Sequence, residues 1–461
     1  MHTEDLSRRL CENVAAWRYE DLPGEVVHTA KALMLDTLGV IGGAAHAPGI
    51  EALNARLARW EPSGSATGLI GKRRYSPPSA ALANGAAAHA LDFDDQHDPA
   101  RVHTSCVVLP ALLATAEDAG AIGGRELLLA MAVGAEVHAR LGLACYNSLG
   151  KGWHPTMVFG TLAAALAAGR LLRLDVDGLA NALGIAFHQA AGSAQSMRDG
   201  VLSKRLGAGF AARNAVLGAF LASDGLTGTR RTFEGNAGLF ALYERGEVNV
   251  DALMDGLGST WRTPEYSFKP YPCCRCNHTP IGLGISLHRE GVRAQDVEAI
   301  EIRMGEVNRL TVGEPYDVSR DSIVHAQFNA AYSFARALAD GRVDLHSYRK
   351  PAISDPAIVA LARLTHVVSD PAVDATAIEP ARVVVKLKNG RTLEAASDTI
   401  KGSPQEPMSE AELAAKLRTC LDFGLGASPD AADRLAGVIA NLETRADVAR
   451  DIVEAFPLPT R

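Results

Sequence analysis

A change in the spacing of apolar residues near Pro264 constrains the fold more than any other feature of the chain. From about residue 5 to 260, apolar residues recur every three or four positions, as in "ELLLAMAVGAEVHARLGLA". This is the period of an α-helix that packs along one face. Alanine and glycine dominate these faces, which predicts closely packed helices in a large bundle. At 461 residues, the chain is also longer than one hydrophobic core usually serves.

After Pro264 the apolar residues alternate instead. In "VEAIEIRMG", Ile300, Ile302 and Met304 fall on one face of a predicted strand. The segment "ARVVVKLKNGRTLEAAS" alternates in the same way, and its Asn389-Gly390 pair predicts a hairpin with a type I′ turn. Between these strands, "HAQFNAAYSFARALADG" predicts a helix. The sequence therefore predicts a mixed α+β segment here.

Helical spacing returns near the C-terminus. "SEAELAAKLRTCLDFG" begins with a capping box from Ser409 to Glu412. We therefore predict a mainly α protein in which residues 1–262 and 405–461 form one large all-helical domain. Residues 263–404 form a smaller α+β domain inserted into it.

Composition argues against several classes of partner and location. The chain has 46 basic and 53 acidic residues and no basic block, which argues against nucleic acid or an anionic membrane as the main partner. The apolar run from Met157 to Gly169 is too short to span a bilayer, and the charged start does not resemble a secretory signal. Seven cysteines, three of them crowded at residues 273–276, do not suggest a disulfide framework. We expect a cytoplasmic protein.

The stretch 91–105, "LDFDDQHDPARVHTS", concentrates titratable groups before an apolar helix. If it is a helix end, Asp92 and Asp95 share a face because they are three residues apart. His103 can then transfer protons, since histidine titrates near neutral pH. The alternative is a polar loop that caps the following helix.

Two further segments carry candidate site residues. In "KGWHPTMVFGT", the proline forces His154 into an extended conformation at a helix N-terminus, which lowers an imidazole pKa and attracts anions; a simple cap is the alternative. In "SKRLGAGFAA", Lys204 and Arg205 interrupt an apolar stretch. They form either a surface pair or cations that point into a cleft and hold a carboxylate.

The densest group of reactive side chains lies in "FKPYPCCRCNHTPIG". Cys273 and Cys276, with His278, have a spacing that occurs in zinc and iron–sulfur sites. A second cysteine pair is missing, so a cationic wall formed by Lys269, Arg275 and His278 at the junction of the two domains is the preferred interpretation.

Taken in order, these motifs resemble the MmgE/PrpD family across nearly the whole chain. The matching segments are "LDTLGV", "HALDFDDQH", "LPALLATAE", "EVHARLG", "GWHPT", "SKRLGAGFAA", "FEGNAG", "KPYPCCRCNHTPI", "AQFNAAYSFARALADG" and "KGSPQEPMS". The family includes 2-methylcitrate dehydratases, cis-aconitate decarboxylases and iminodisuccinate epimerases. The resemblance implies a helical domain with an α+β lid, an active site in the cleft between them, a homodimer, and no metal or other cofactor.

The resemblance also assigns site residues. The residues that match pocket positions of the decarboxylase branch, and that we predict to be catalytic, are Asp92, His103, His154, Lys204, Lys269 and Tyr332. The predicted substrate-binding residues are Asp95, Gln96, Cys274, Arg275 and His278. Gln96 falls near a pocket threonine of the family, and His278 matches a common family histidine. Cys274 stands where the decarboxylases that make itaconate carry a histidine, and "HTS" replaces the usual "HPS".

The chemistry that these enzymes share is the breaking of a bond at a carbon next to a carboxylate. We expect a cofactor-independent lyase that abstracts an α-proton from a small di- or tricarboxylate, with a 2-methylcitrate dehydratase-like hydro-lyase as the first choice. The alternatives, in order, are an epimerase of iminodisuccinate or a similar dicarboxylate, a cis-aconitate decarboxylase, and an inactive binding or scaffold protein.

Overall fold

The computed structural model describes residues 5–61 and 63–460 and is mostly α-helical, with small sheets. The longer helices before residue 262 are Leu6–Ala16, Gly24–Gly43, Ile50–Trp60, Pro77–His89, Ser105–Ala119, Gly124–Ala144, Pro155–Leu171, Val176–Phe187 and Ser203–Ser223. Shorter helices at Gln195–Arg198, Leu239–Leu242 and Val250–Met254 join them. Glu410–Leu425, Pro429–Ala440 and Val448–Ala455 follow at the C-terminus.

One close helix crossing positions two polar side chains. The helices Pro77–His89 and Ser203–Ser223 approach so closely at Gly85 and Gly209 that a Cβ on Gly85 would lie 2.8 Å from the Gly209 Cα. Only glycine tolerates this contact between backbones. His89 ends the first helix and Lys204 lies in the first turn of the second, each about one turn from the crossing. The crossing therefore brings His89 and Lys204 together.

The second part of the chain combines a four-stranded sheet with helices. Its strands lie in the order Thr365–Ser369, Val297–Met304, Ala381–Leu387 and Thr392–Ser397. The first pair is parallel and the other two are antiparallel. The longer helices are His278–Arg289, Glu306–Val312, Ile323–Gln327, Ala330–Asp340 and Pro356–Arg363. As predicted, Ile300, Ile302 and Met304 are buried on one face of their strand.

Local details of this part differ from the predictions. The hairpin at residues 387–392 forms, but its turn is not type I′, because Gly390 has a positive φ of 84° and Asn389 does not. Leu387 N donates to Arg391 O across a three-residue loop, which is the geometry of a type I turn followed by a left-handed glycine. The predicted single helix over 325–341 is two helices. Asn329 is extended between them, and its side chain accepts from Tyr332 N to cap the second.

The predicted all-helical part also contains two small antiparallel sheets. Ala66–Gly68 pairs with Arg73–Tyr75, and Gln96–His97 pairs with Tyr266–Ser267. Strands of two or three residues are too short to show a period in the sequence. The second sheet connects the acidic stretch to residues beyond Pro264.

Two large hydrophobic cores, and a small cluster of Val40, Phe93, Leu345 and Cys420, underlie these elements. One contains side chains from residues 6–268 and from the C-terminal helices, and the other contains side chains from 271–395. Tyr266 belongs to the first core and Cys273 to the second, so the packing changes near residue 270 rather than at 263. The chain passes from the first core to the second near Phe268 and returns to the first near Gly402. Phe268 N donates to Gly402 O at 2.8 Å, so the two connecting segments are hydrogen-bonded to each other.

A C-terminal helix also contacts the acidic stretch 91–105. In helix Glu410–Leu425, which begins with the predicted Ser409–Glu412 capping box, Lys416 is buried. Its Nζ forms an ion pair with Asp36 at 2.7 Å and donates to Phe93 O at 2.7 Å. This anchors the backbone of the acidic stretch from a second side.

Two helices, Gly124–Ala144 and Ser203–Ser223, are long and apolar enough to cross a membrane by length and composition alone. In the first helix, 94% of the most apolar 18-residue stretch is buried inside the protein, and in the second helix the buried share is 56%. Core helices of large bundles have the same property.

Replacement of Gly402 by alanine should destabilise the contact between the two segments that connect the cores, at Phe268 and Gly402. Gly402 has a φ of +87°, and a Cβ there would lie 1.9 Å from Phe268 O. Gly390→Ala is the matched control, because Gly390 has a φ of +84° and nothing within 4 Å of its Cβ position. Each variant carries the strain of about 1–3 kcal/mol that a left-handed non-glycine residue imposes, and only Gly402→Ala adds a clash. Equal losses of unfolding free energy in denaturant titrations would contradict this account of the contact.

Candidate active site

Asp92 is the centre of a buried cluster of charges. Its side chain is 4% exposed, and its Oδ2 forms an ion pair with the Lys204 ammonium. Its Oδ1 lies 2.8 Å from Lys269 Nζ, which also donates to Asp92 O at 3.0 Å. Asp92 has a φ of +53°, a conformation that persists in a non-glycine residue only where its surroundings fix it. The two lysines from distant parts of the chain supply that fixation.

The charges in this cluster reinforce one another. Burial opposes ionisation of Asp92, yet Lys204 and Lys269 hold its pKa well below the ordinary value. Burial also opposes the charge of Lys269, but Asp92 and Asp94 raise its pKa above the ordinary lysine value. Two ammonium groups therefore face the Asp92 carboxylate, and the Asp94 carboxylate lies close enough to raise the pKa of Lys269.

His89 and Asp94 were not predicted to be site residues. Lys204 Nζ lies 3.2 Å from His89 Nε2, and His89 Nδ1 lies 2.8 Å from Asp94 Oδ2. An ammonium can only donate, so His89 Nε2 accepts and Nδ1 carries the proton that is donated to Asp94. Both residues lie in "HALDFDDQHD", so the same local density of titratable groups that singled out Asp92 also marks them.

His103 is the most accessible imidazole of the cluster. Its Nδ1 lies 2.8 Å from Asp95 O and 3.5 Å from Asp94 Oδ2. A carbonyl only accepts, so Nδ1 carries the proton and Nε2 keeps a free lone pair. Burial lowers the pKa of His103 to about 3, and its side chain remains 14% exposed. His103 is therefore a neutral, oriented imidazole at neutral pH.

His154 lies on another side of the cluster. It has the predicted extended backbone before Pro155, with φ −95° and ψ 101°. Its ring centroid is 6.0 Å from that of His89, and its buried Nδ1 has no hydrogen-bond partner among the described residues. Burial is the main cause of a His154 pKa well below the ordinary value, and the positive charge of Lys204 acts in the same direction. The low pKa was predicted, but burial rather than the helix end is its main cause.

The helix predicted to carry Asp92 and Asp95 on one face ends earlier, at His89. The alternative interpretation holds for Asp95, because its carboxylate accepts from Thr104 N at 3.1 Å and from Ser105 N at 3.2 Å. It thereby caps the helix that starts at Ser105. Burial and the Asp94 carboxylate raise the pKa of Asp95 to about 7. Each carboxylate oxygen of Asp95 thus accepts a hydrogen bond from the backbone. Contact between Asp95 and a substrate remains a prediction.

A second charged group adjoins the first. Arg275 Nη2 lies 3.3 Å from Asp98 Oδ2, and Ser267 Oγ donates to the same oxygen at 2.5 Å. Arg275 Nη1 donates to His278 Nδ1 at 3.3 Å. Burial, then the charges of Arg275 and Lys269, hold the pKa of His278 well below the ordinary value. Asp98 therefore neutralises Arg275, which the sequence places in a cationic wall. The sequence does not predict this pairing.

Cys274 and Gln96 are also buried. Cys274 lies near enough to Lys269 to influence its pKa, and its own thiol pKa is raised well above the ordinary value by Cys276 and by burial. Gln96 lies in the short strand opposite Ser267. Both therefore border the charged groups described above.

Tyr332 is the predicted catalytic residue that the structure does not bring to the cluster. Its hydroxyl donates to Ser347 O at 2.5 Å, and its ring packs against Tyr316 and Tyr348 inside the second core. Burial raises the pKa of Tyr332 to about 12. Its helix directs the ring toward other aromatic side chains rather than toward Asp92, so the contacts of Tyr332 in this structure are packing contacts.

A cavity of about 870 Å³ is lined by residues from both parts of the chain. Asp98, Tyr146 and Met197 line it on one side, and Leu310 and Phe328 line it on the other. The Phe328 ring centroid is 4.9 Å from Lys204 Nζ. The cavity is therefore lined by Asp98 of the Arg275–Asp98 pair, and its lining residue Phe328 contacts Lys204 of the Asp92 cluster.

One group of side chains has ligand atoms spaced as a metal site requires. His89, Asp94 and Cys106 place one such atom each within 4.8 Å of the others. However, His89 Nδ1 already donates to Asp94, and burial raises the pKa of the Cys106 thiol well above the ordinary value. The nearby Lys204 also disfavours a cation. The donor set fits a hydrogen-bonded network better than a metal.

Comparison with known proteins identifies the family of the chain. Residues 8–250 match the MmgE/PrpD N-terminal domain, and residues 271–443 match the MmgE/PrpD C-terminal domain. The chain belongs to the MmgE/PrpD family, and its relatives support a lyase-type enzyme.

Curated relatives cover most of the chain. It is 30% identical to the cis-aconitate decarboxylase-like protein oryM of Aspergillus oryzae, over 96% of each chain. It is 31% identical to a cis-aconitate decarboxylase of Aspergillus terreus, over 73% of this chain and 72% of the relative. It is 29% identical to the human cis-aconitate decarboxylase, over 92% and 89%.

The low pKa of His103 predicts a loss of stability in acid. The folded pKa of about 3 lies below the ordinary value of 6.5, so between these values the unfolded chain binds a proton that the folded protein does not. Stability from this group is complete above about pH 6.5 and falls as the pH drops toward 3, by at most about 1.4 kcal/mol per pH unit. His103→Gln should therefore lose less unfolding free energy than the wild type between pH 7 and pH 4.5. His46→Gln, at an exposed histidine, serves as the control, and identical pH slopes for His103→Gln and wild type would contradict a buried neutral His103.

Proposed function

We propose that this chain is a cofactor-independent lyase that acts at the carbon next to a carboxylate of a small di- or tricarboxylate. The observation that carries the proposal is the free Nε2 of a neutral His103 beside the Lys204–Asp92–Lys269 group. A base and a cationic anchor in one buried place are what the removal of an α-proton requires.

The anchor acts on the charge that develops in the reaction. When a bond at the α-carbon breaks, negative charge spreads onto the adjacent carboxylate as an enediolate. Lys204 and Lys269 are held in place by Asp92 before substrate arrives, so they stabilise this charge without reorganising. Burial strengthens the interaction because water screens it less.

The two histidines divide the proton transfers. We assign His103 Nε2 as the base, since its Nδ1 is committed to Asp95 O; such a base typically contributes about 10²–10⁴-fold to the rate. His154 is the second proton-transfer group, because its Nδ1 is buried without a partner among the described residues. In a decarboxylation no α-proton is removed: CO2 leaves, the electrons of the broken C–C bond remain on the α-carbon, and that carbon takes a proton that water supplies and His154 relays.

The first reaction to test is the decarboxylation of cis-aconitate, since the relatives named above carry that activity in their names. A hydro-lyase of the 2-methylcitrate dehydratase type is the second candidate. It is favoured by Cys274, which stands where decarboxylases that make itaconate carry a pocket histidine. Epimerisation of iminodisuccinate needs a base and an acid on opposite faces of one carbon, and His103 and His154 are the groups available for it.

We further propose that the 870 Å³ cavity is the substrate cleft and that residues 263–404 act as the lid. The support is that its lining residues come from both parts of the chain and that Phe328, from the second part, contacts Lys204. The exclusion of water by closure would strengthen the electrostatic stabilisation.

The test is to assay the purified chain with cis-aconitate, 2-methylcitrate and iminodisuccinate, with and without a chelator, and to identify the products. We expect turnover of at least one substrate that the chelator does not reduce. His103→Gln should lower kcat/KM by about 10²–10⁴-fold.

The matched control is His288→Gln, because His288 Nδ1 also bonds a carbonyl, Leu338 O at 2.8 Å, but in the second core. It should retain wild-type kcat/KM. Wild-type turnover by His103→Gln would refute the assignment of the base, and the absence of turnover with all three substrates would refute the substrate class.

A further inference from the structure

A second cavity, of about 470 Å³, shares no lining residue with the cavity described above. Its walls are largely apolar: Leu91, Pro272, Ile323, Leu345, Pro351 and Phe423. Its size falls within the range of about 300–1,000 Å³ that is typical of small-molecule sites. The mechanism above does not use it.

Arg205 lines this cavity with a charge that lacks an acidic partner. The residue is only 3% exposed. Its Nη1 donates to Pro48 O at 3.1 Å, and across residues 5–61 and 63–460 no carboxylate lies within ion-pair distance of its guanidinium. Burial lowers its pKa to about 10, so it remains charged at neutral pH. Buried charges are normally paired, which makes this guanidinium an unfilled anion site.

The other basic side chains of this cavity differ from Arg205. His46 and Lys350 have carboxylate partners, in Glu51 and Asp321. Arg349 is exposed and has its guanidinium carbon 4.3 Å from the Phe423 ring centroid. Among the described residues, Arg205 and Arg349 are thus the lining cations without a carboxylate partner, and Arg205 is the buried one.

We propose that this cavity binds a small carboxylate with an apolar body, and that the carboxylate pairs with Arg205. A guanidinium binds a carboxylate through two parallel hydrogen bonds. The apolar walls take a hydrocarbon chain or ring, whereas a polycarboxylate would leave charges against Leu345 and Ile323 without partners.

A ligand in this cavity would contact residues that are adjacent in the chain to members of the Asp92 cluster. Arg205 directly follows Lys204, and Leu91 directly precedes Asp92. Gln327 Nε2 donates to Leu91 O at 2.7 Å and to Pro272 O at 3.0 Å, and all three residues line the cavity. The site is therefore placed to modulate the cluster, although its binding is independent of any turnover.

Isothermal titration of the full chain with hexanoate tests the proposal. We expect saturable binding at one site per chain. Hexanamide, which has a similar shape but no charge, should bind at least about tenfold more weakly, as should hexanoate to Arg205→Gln. Arg213→Gln removes a guanidinium from the same helix that does not line the cavity, and it should leave the affinity unchanged.

Ile323→Trp provides a second variant that keeps Arg205, so the test holds even if Arg205→Gln does not fold. The larger side chain fills part of the cavity from the second core and should abolish hexanoate binding. Undiminished binding to either folded variant, equal affinity for hexanamide, or no saturable binding of hexanoate would each overturn the proposal. None of these results depends on which reaction the enzyme catalyses.

Discussion

The paired ion bridges of Asp92 are the interaction on which the rest of the site depends. Lys204 comes from a long helix of the bundle, and Lys269 comes from the segment that leads to the second core. Partners on both sides hold Asp92 in a left-handed conformation, and this conformation directs the following residues toward His89 and His103. A buried ion pair contributes little net stability, but the loss of one partner is costly because it leaves a buried charge unpaired. The cluster therefore specifies geometry more than it stabilises the fold.

The cluster also explains why the histidines are neutral. His103 and His154 are buried beside two ammonium groups, so an additional positive charge on either ring is disfavoured. Asp95 O then fixes the proton of His103 on Nδ1. A base with an ordinary pKa would be partly protonated near pH 6.5, whereas this one stays available. In the proposed function, the same two ammonium groups contact a substrate carboxylate, so binding and proton abstraction depend on one arrangement of charges.

The sequence predicts the broad architecture because long periodic segments indicate element type well. It also indicates Asp92, His103, His154, Lys204 and Lys269, which the structure brings together. It does not reveal Asp98 as the partner of Arg275, because pairing between positions 177 residues apart depends on tertiary packing. The type I turn before Gly390 was missed because Asn-Gly also suits a type I′ turn. Tyr332 was misplaced because a motif gives a residue's position in the chain but not the direction of its side chain.

The protonation state of His103 is the central claim, and long-range nitrogen–proton NMR correlation of labelled protein measures it directly. The spectrum distinguishes a neutral ring protonated on Nδ1 from one protonated on Nε2 and from an imidazolium. The account predicts a neutral ring protonated on Nδ1 throughout the range from pH 5.5 to pH 8, with Nε2 unprotonated. An imidazolium that titrates near pH 6.5, or a neutral ring protonated on Nε2, would contradict it.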